Sequence, residues 1–445
     1  MSRANCRIVR AAGVVIFFFL LSQAAQVNRQ TAGLAFIDSR ALAQGGRIFN
    51  VKEFGAKGDG MADDTAAIQR TIDKAPDRST IYFPAGTYLV ANFVVKKRSG
   101  LSFNGEERTA VIRRKPGAAR MATFQGSSDI VVTKLAFDAN GIDSYGGVVF
   151  YAAKGVVIEN NSFVDSAPKH NRAGDHYSFV LGKGAEPSRD VKILNNVMEF
   201  LQLEVDHAKN VVIEGNIVKR PIGTSGIGIF TVGNDAVAED YVIKKNTVID
   251  PPKAGLHAVL DPPASRNCVF RRIAFIDNTI IRTKTAGYAI QIGTLDNSQR
   301  TTGNVFEDIT VRDNRIRIES GAPPSGPMIF ANSSKAAGVV FKRLAVVGNE
   351  IHNQGRGNKG YAIELRYIQD SVVADNTIKG VADGISLAGA LRSNELRNNT
   401  VEVSGVGFRV DGSLGQNRAA DNRVLGQPRQ PWTLTNLNAS DVIDR

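Results

Sequence analysis

The chain has 445 residues, a formal net charge of +12, 43 glycines and only two cysteines. That length supports a large core; with Cys6 in the leader, Cys268 stands alone, so neither a disulfide framework nor a cysteine metal cluster is available. Basic residues are scattered, without a Lys/Arg block or interleaved aromatics, which argues against nucleic acid and fits an anionic partner such as an acidic polysaccharide or a membrane surface.

At the N-terminus, Arg3, Arg7 and Arg10 precede an apolar run, "AAGVVIFFFLL" (11–21), too short to span a bilayer comfortably. Ser22 and Ala24 supply a small-x-small cleavage site, so residues 1–25 read as an export signal; a second A-x-A in "ALAQ" (41–44) sets an alternative boundary at residue 43. Cleavage removes three arginines and leaves +9. The mature chain is expected in the periplasm or outside the cell, with no membrane span.

Next comes "DDTAAIQRTIDKA" (63–75), which places Ile68, Ile72 and Ala75 on one helical face. Asp63 or Asp64 can cap its start, and Pro76 stops it. "TIYFPAGTYLV" (80–90) reads as strand, turn and strand.

From residue 156 onward one phrase recurs. "VVIENNSF" (156–163), "VVIEGNIV" (211–218), "YVIKKNTV" (241–248), "ITVRDNRI" (309–316) and "SVVADNTI" (371–378) are clear copies. The shared asparagines are Asn161, Asn196, Asn216, Asn246, Asn278, Asn314, Asn349, Asn376, Asn399 and Asn422, spaced 20–36 residues apart. Each unit holds a strand, a tight turn with Asn, and a second short strand. Asn tolerates the left-handed backbone that such a turn needs, and stacked asparagines can bond along a ladder. Between successive Asn turns lies another strand, such as "LQLEVDHAKN", "SGIGIFTVG", "AGLHAVLDPP", "AGYAIQIGT" or "GYAIELRYI", with apolar residues at alternate positions. Two or three strands per unit, with length variation between units, describe a parallel β-helix solenoid of about ten or more rungs. Residues 46–426 are expected to form it. The helix within 46–90 plugs the first end, and the non-repetitive tail 427–445 closes the other.

The segment "FNVKEFGAKGDGMADDTAAIQRTID…STIYFPAGTYLV" (49–90) closely resembles the N-terminal signature of the pectate-lyase-like superfamily, which includes polygalacturonases, rhamnogalacturonases, mannuronan C5-epimerases and phage tailspikes. The resemblance implies an all-β, right-handed parallel β-helix and a carbohydrate polymer lying along one groove. It does not fix a reaction. Subfamily marks are largely missing. The nearest match to the polygalacturonase G-D-D is Gly174-Asp175-His176, "GLH" (255–257) lacks the glycine after His257, and "VDHA" (205–208) lacks the proline of the epimerase D-P-H.

The outward strand positions supply the candidate chemistry. Leu201, Leu203 and Val205 alternate with Gln202, Glu204 and Asp206, so the polar three share the outer face. Residues two apart on a strand are roughly 6.6 Å apart, near the carboxylate separation of an inverting glycosidase. Asp175, His176, Tyr177 and Lys183 lie one unit earlier; His257 and Asp261 lie two units later, and Gln291 one further. "SGIGIF" (225–230) offers only small outward residues, leaving room for a sugar ring. Glu364 with Arg366, and Arg409 with Asp411, face outward farther along and can hold distal units. Glu204, Asp206, His176 and His257 are therefore the catalytic candidates. Asp175, Tyr177, Lys183, Gln202, Asp261, Gln291, Glu364 and Arg366 are the substrate-binding candidates. A uronate lyase must neutralise the substrate carboxylate, for which a cation such as calcium serves, and must move the C5 proton with His, Tyr or Lys. An epimerase returns that proton from the other face. The expected function is thus β-elimination or C5 epimerisation of an acidic polysaccharide, with hydrolysis, or binding without chemistry, as the alternatives.

Overall fold

The computed structural model describes residues 46–444 apart from 142–146, 169–176, 184–185, 232–233, 261–264, 296–300, 324–325, 334–337 and 356–359. The repeat unit resolves into three strands. In one rung these are Gln202–Val205, Ala208–Glu214 and Ile217–Lys219; in the next they are Ser225–Thr231, Val237–Lys244 and Thr247–Ile249. Each of these strands pairs parallel with its counterpart one rung away, for example Lys209 with Glu239 and Val218 with Val248. Three stacks result, here called sheets 1, 2 and 3 in the order the chain visits them. Among the described residues sheet 3 contains 14 strands, and sheets 1 and 2 run together as 30. The fold is a right-handed parallel β-helix.

Parallel strands in register force identical rung positions to lie above one another, about 4.8 Å apart. The interior is therefore built from columns of like residues. Phe124 stacks on Phe150 at 4.4 Å between ring centroids, Phe137 on Phe163 at 4.8 Å and Phe270 on Phe306 at 4.4 Å. The apolar strand positions Leu203, Val205, Ile227 and Ile229 join this continuous core, as alternation predicts.

The expected asparagine ladder forms at the turn between sheets 2 and 3. Asn246 donates its main-chain N–H and its Nδ2 to Oδ1 of Asn278, both at 3.0 Å. Asn278 does the same to Asn314, and the pattern runs from Asn161 to Asn422. One part of the expectation is corrected. The ladder asparagines do not take the left-handed conformation; the residue before each one does. Asn160, Asn195, Gly215, Lys245, Asp277, Asp313, Gly348, Asp375, Asn398 and Asp421 all have positive φ. The ladder position is fixed by hydrogen bonding and the position before it by backbone geometry.

A second, shorter ladder occupies the turn between sheets 1 and 2 toward the C-terminus. There Ser371 N–H donates to Asn394 Oδ1, Asn394 to Asn417, and Asn417 to Asp441. Asp441 belongs to the segment expected as a non-repetitive tail. That segment instead adds strands Gln430–Thr435 and Val442–Ile443 to the two stacks, in parallel register.

The helix spans Thr65–Lys74 and buries Ile68 and Ile72. Its start is tied by Asp63, whose carboxylate accepts the Thr65 N–H; Asp64 turns away and accepts from Lys57 and Gly58. Gln69 docks the helix by pairing its side-chain amide with both main-chain groups of Val94.

Two substitutions test these roles. Asn278→Ala strands two buried donors of Asn246, and we expect a loss of about 2–6 kcal/mol in urea unfolding. Lys245→Gly relieves the one lysine held at positive φ in this row, at 55°, and should raise stability by about 1 kcal/mol.

Candidate functional site

Register along sheet 1 sets the outer face row by row. Glu204 pairs with Gly228, Gly228 with His257 and His257 with Gln291. The same row continues through Phe330, Glu364, Ser386 and Arg409. A neighbouring row carries Phe230, Val259 and Gly293, and farther on Arg366, Ala388 and Asp411. Alternation therefore assigns the outward positions correctly.

It does not make them accessible. Gln202, Glu204 and Asp206 are 0%, 2% and 1% exposed. The expected role of Glu204 and Asp206 as a solvent-facing acidic pair is corrected by this burial. Asp206 Oδ1 accepts the Phe230 N–H at 3.1 Å, and Gln202 Oε1 accepts from Thr224 and Ser225. These side chains tie one rung to the next. The room expected above "SGIGIF" is also filled, because Phe230 turns its ring over Gly228. A Cβ placed on Gly228 would lie 2.2 Å from Phe230 Cε2.

His257 is equally enclosed. Its Nε2 lies 3.1 Å from Gln291 Oε1, and its ring meets Phe230 edge-on at 5.5 Å. Burial pushes its pKa down to about 3, with the Gln291 bond opposing the shift. The imidazole is neutral at any ordinary pH. Gln291 bends its Nε2 back to the Thr294 carbonyl at 3.0 Å. His207 accepts the Val237 N–H at its Nδ1 and so serves the turn.

The second half of the face is more open. Tyr288 is half-buried and stacks on Phe330 at 5.2 Å, and the Arg366 guanidinium lies 5.4 Å from the same ring. Arg366 Nε donates to Glu364 Oε1 at 2.7 Å, and Arg409 Nη2 to Asp411 Oδ2 at 2.6 Å. Tyr361 is half-buried on the Glu364–Arg366 strand. Burial raises the pKa of both tyrosines, helped at Tyr288 by the Glu364 charge. The predicted pair Glu364 and Arg366 is thus brought together. Tyr288 and Phe330 are additions that the sequence reading passed over. Alternation marks Phe330, between core Ile329 and Ala331, as outward, but it would turn Tyr288 inward with Ile290 and Ile292; consecutive core residues Ala289 and Ile290 break the alternation there.

Asp175, His176 and Asp261 lie outside the described residues, and so does the side chain of Lys183. Tyr177 begins strand Tyr177–Lys183 and is buried. No group of three or more His, Cys, Asp or Glu able to hold a metal ion occurs among the described residues. No described helix is long and apolar enough to cross a membrane.

The family model described as "Rhamnogalacturonase A/epimerase, pectate lyase-like" matches residues 48–304, more than half of the chain. A second, "Periplasmic copper-binding protein (NosD)", matches 265–430. In that stretch Cys268 and Met328 are sealed in the core and His352 is exposed on sheet 3, so these residues do not make a copper site. Mannuronan C5-epimerase AlgE3 of Azotobacter vinelandii is 60% identical over 45 residues, 10% of this chain and 2% of that protein. Plasmin and fibronectin-binding protein A of Streptococcus pneumoniae is 32% identical over 153 residues, 27% of this chain and 21% of that protein. The chain spans only a small part of these curated relatives. Among solved structures, the S. pneumoniae surface adhesin PfbA superposes with a TM-score of 0.54 at 17% identity, covering 82% of this chain and 91% of that one. A family 28 exopolygalacturonase of Yersinia enterocolitica gives 0.52 at 13% identity, with coverage of 90% and 78%. At these identities the two structures share the fold.

The enclosed imidazole has a measurable signature. Below about pH 6.5 an unfolded histidine takes up a proton, which folded His257 refuses until about pH 3. Stability should therefore fall as pH drops through that window. We expect the urea midpoint to fall more steeply from pH 6.5 to 4 in the wild type than in His257→Gln. Parallel profiles would mean the ring is solvated.

Proposed function

The chain belongs to the rhamnogalacturonase A/epimerase, pectate lyase-like family, and from that membership we propose that it is an exported protein acting on an acidic, uronate-containing polysaccharide by β-elimination or C5 epimerisation. Membership itself carries a pectate-lyase-like, carbohydrate-active or carbohydrate-binding role. The finer reading is carried by one observation. Tyr288, Phe330, Glu364, Arg366, Arg409 and Asp411 share the outer face on four of five consecutive rungs, parallel to the axis along which a polymer would lie.

Each group has a part in that reading. Tyr288 and Tyr361 present rings and hydroxyls to sugar faces. Arg366 and Arg409 sit two rungs, roughly 10 Å, apart along the axis. Each offers a planar fork suited to a carboxylate. Neutralising a uronate carboxylate acidifies its C5 proton. An imidazole and a tyrosine are the residue types that can take and return that proton, but enclosed His257, with its pKa pushed down to about 3, is a weak base until the face around it opens. Hydrolysis ranks lower, because it needs two carboxyl groups flanking the bond, and for an inverting enzyme a water between one of them and the sugar; the expected pair is enclosed with Asp206 spent on the main chain.

Binding without chemistry is the second reading. It is favoured by the burial of Glu204, Asp206 and His257 together.

Incubation with alginate and with polygalacturonate separates the readings. Elimination gives ultraviolet absorbance from an unsaturated product. Epimerisation gives solvent deuterium at C5 without shortening. New reducing ends without absorbance mean hydrolysis, and binding with none of these means the second reading. Failure to bind either polymer would remove the whole proposal. Replacing Arg366 and Arg409 together by Ala should weaken polyuronate binding about tenfold, or ~1.4 kcal/mol, and reduce its salt dependence.

A further inference from the structure

Buried polar atoms in native proteins almost always have hydrogen-bond partners. Three that lack one fall on consecutive rungs of sheet 1: Gln202 Nε2, Ser225 Oγ and His257 Nδ1. The opposite end of two of these side chains is already fixed. Gln202 Oε1 holds two main-chain N–H groups, and His257 Nε2 faces Gln291. What is left over points to a partner that comes and goes.

The space beside them has a defined shape. Gly228 lies in register between Glu204 and His257, so the two flanking positions are two rungs, roughly 9.6 Å, apart. Gly228 is absent from the positive-φ residues, so the backbone does not demand glycine there. Its missing side chain leaves room for a ring. Phe230 now fills that room, and Ser225 Oγ sits 2.9 Å from where a Gly228 Cβ would be. An aromatic covering a strand glycine is a known packing device. It accounts for Phe230 and Gly228 but not for the unpaired Ser225 Oγ beside Gly228, the unpaired Nδ1 of the His257 ring that Phe230 meets, or Gln202 Nε2 one rung earlier.

We propose that Phe230 stands in for a bound sugar ring: the place above Gly228 is a single-ring slot for one hexuronate unit, opened when Phe230 swings out. Ser225 Oγ, Gln202 Nε2 and His257 Nδ1 then take the hydroxyl and ring oxygens of that unit. This deepens the acidic-polysaccharide reading and rests on it. Phe230 is a positioning residue that controls access, and a neutral, enclosed His257 is what a slot closed in the resting state requires.

Two measurements test the slot. Diethyl pyrocarbonate modifies neutral, accessible imidazole, and exposed His352 serves as the internal reference in peptide mass mapping. His257 in wild type should react at least tenfold more slowly than in Phe230→Ala, relative to His352; an unchanged ratio overturns the slot. Alginate and polygalacturonate tetramers are then added to Phe230→Ala. Suppression of His257 labelling supports the slot. Binding of a tetramer that leaves His257 labelling unaltered overturns the slot alone, and absence of binding to any variant overturns the acidic-polysaccharide reading along with it. Ser225→Ala separates ligand from scaffold. Loss of an unpaired hydroxyl should leave the thermal midpoint unchanged or raised while tetramer affinity falls several-fold. A lowered midpoint with unaltered affinity would make Ser225 structural and count against the slot.

Discussion

Everything in this molecule depends on parallel strands staying in register from rung to rung. A parallel strand satisfies its main-chain groups only through its two neighbours, and a one-residue slip would turn every apolar side chain outward. The asparagine ladder fixes that register at the turn between sheets 2 and 3. Each Asn supplies an acceptor to the N–H of the rung before it and a donor to a main-chain carbonyl of its neighbour, as Asn246 does toward Ile213. The ladder thus locks phase as well as satisfying buried polar groups. The insertions between units can vary in length because each rung is phased by this contact and not by counting residues.

Register also dictates what the outer face can be. Side chains projecting from sheet 1 cannot be placed individually; they come in rows set by the pairing. The row containing Glu204, Gly228, His257 and Gln291 is closed because one rung carries glycine and lends its space to Phe230. The same row two rungs beyond Gln291 is half-open, because Glu364 and Arg366 bond to each other along one strand and leave Tyr288 and Tyr361 beside them. A single sheet therefore holds an enclosed polar segment and a half-open aromatic–charged segment in line. That arrangement follows from local residue identity on a uniform scaffold.

The scaffold was legible in the sequence because its signals are local and repeated. The V-x-I-x-x-N phrase, period-two alternation and variable spacers each point to a solenoid independently. The direction of Glu204 and Asp206 was legible for the same reason. Their burial was not, since it depends on Phe230 turning over Gly228 within its own strand and on Asp206 reaching the Phe230 N–H one rung and 24 residues away. Likewise the left-handed residue precedes the ladder Asn. A one-residue assignment between two adjacent polar residues needs the hydrogen-bond geometry, although Lys245 and the glycines at 215 and 348 show which of the two positions tolerates non-asparagine residues. The tail was misread because strands Gln430–Thr435 and Val442–Ile443 lack the ladder phrase, while Asp441 replaces Asn at the other turn.

Charge places a further constraint on any partner. On sheet 2 several basic residues are held by carboxylates of the same sheet. Glu239 binds Lys209 and Arg271, Glu307 binds Arg271 and Arg343, and Arg272 is held by Asp240. On sheet 1 each outward arginine also has a carboxylate on its own strand, Glu364 or Asp411. Half-exposed pairs of this kind contribute little to stability. Their consequence is geometric, because they hold guanidinium forks in place before a ligand arrives. A polyanion must compete with those internal carboxylates at each position, so any single contact adds little. Affinity then has to accumulate along several rungs, which favours an extended polymer over a free monosaccharide. The repeat that sets the fold thus also sets the spacing at which these outward charges recur along the axis.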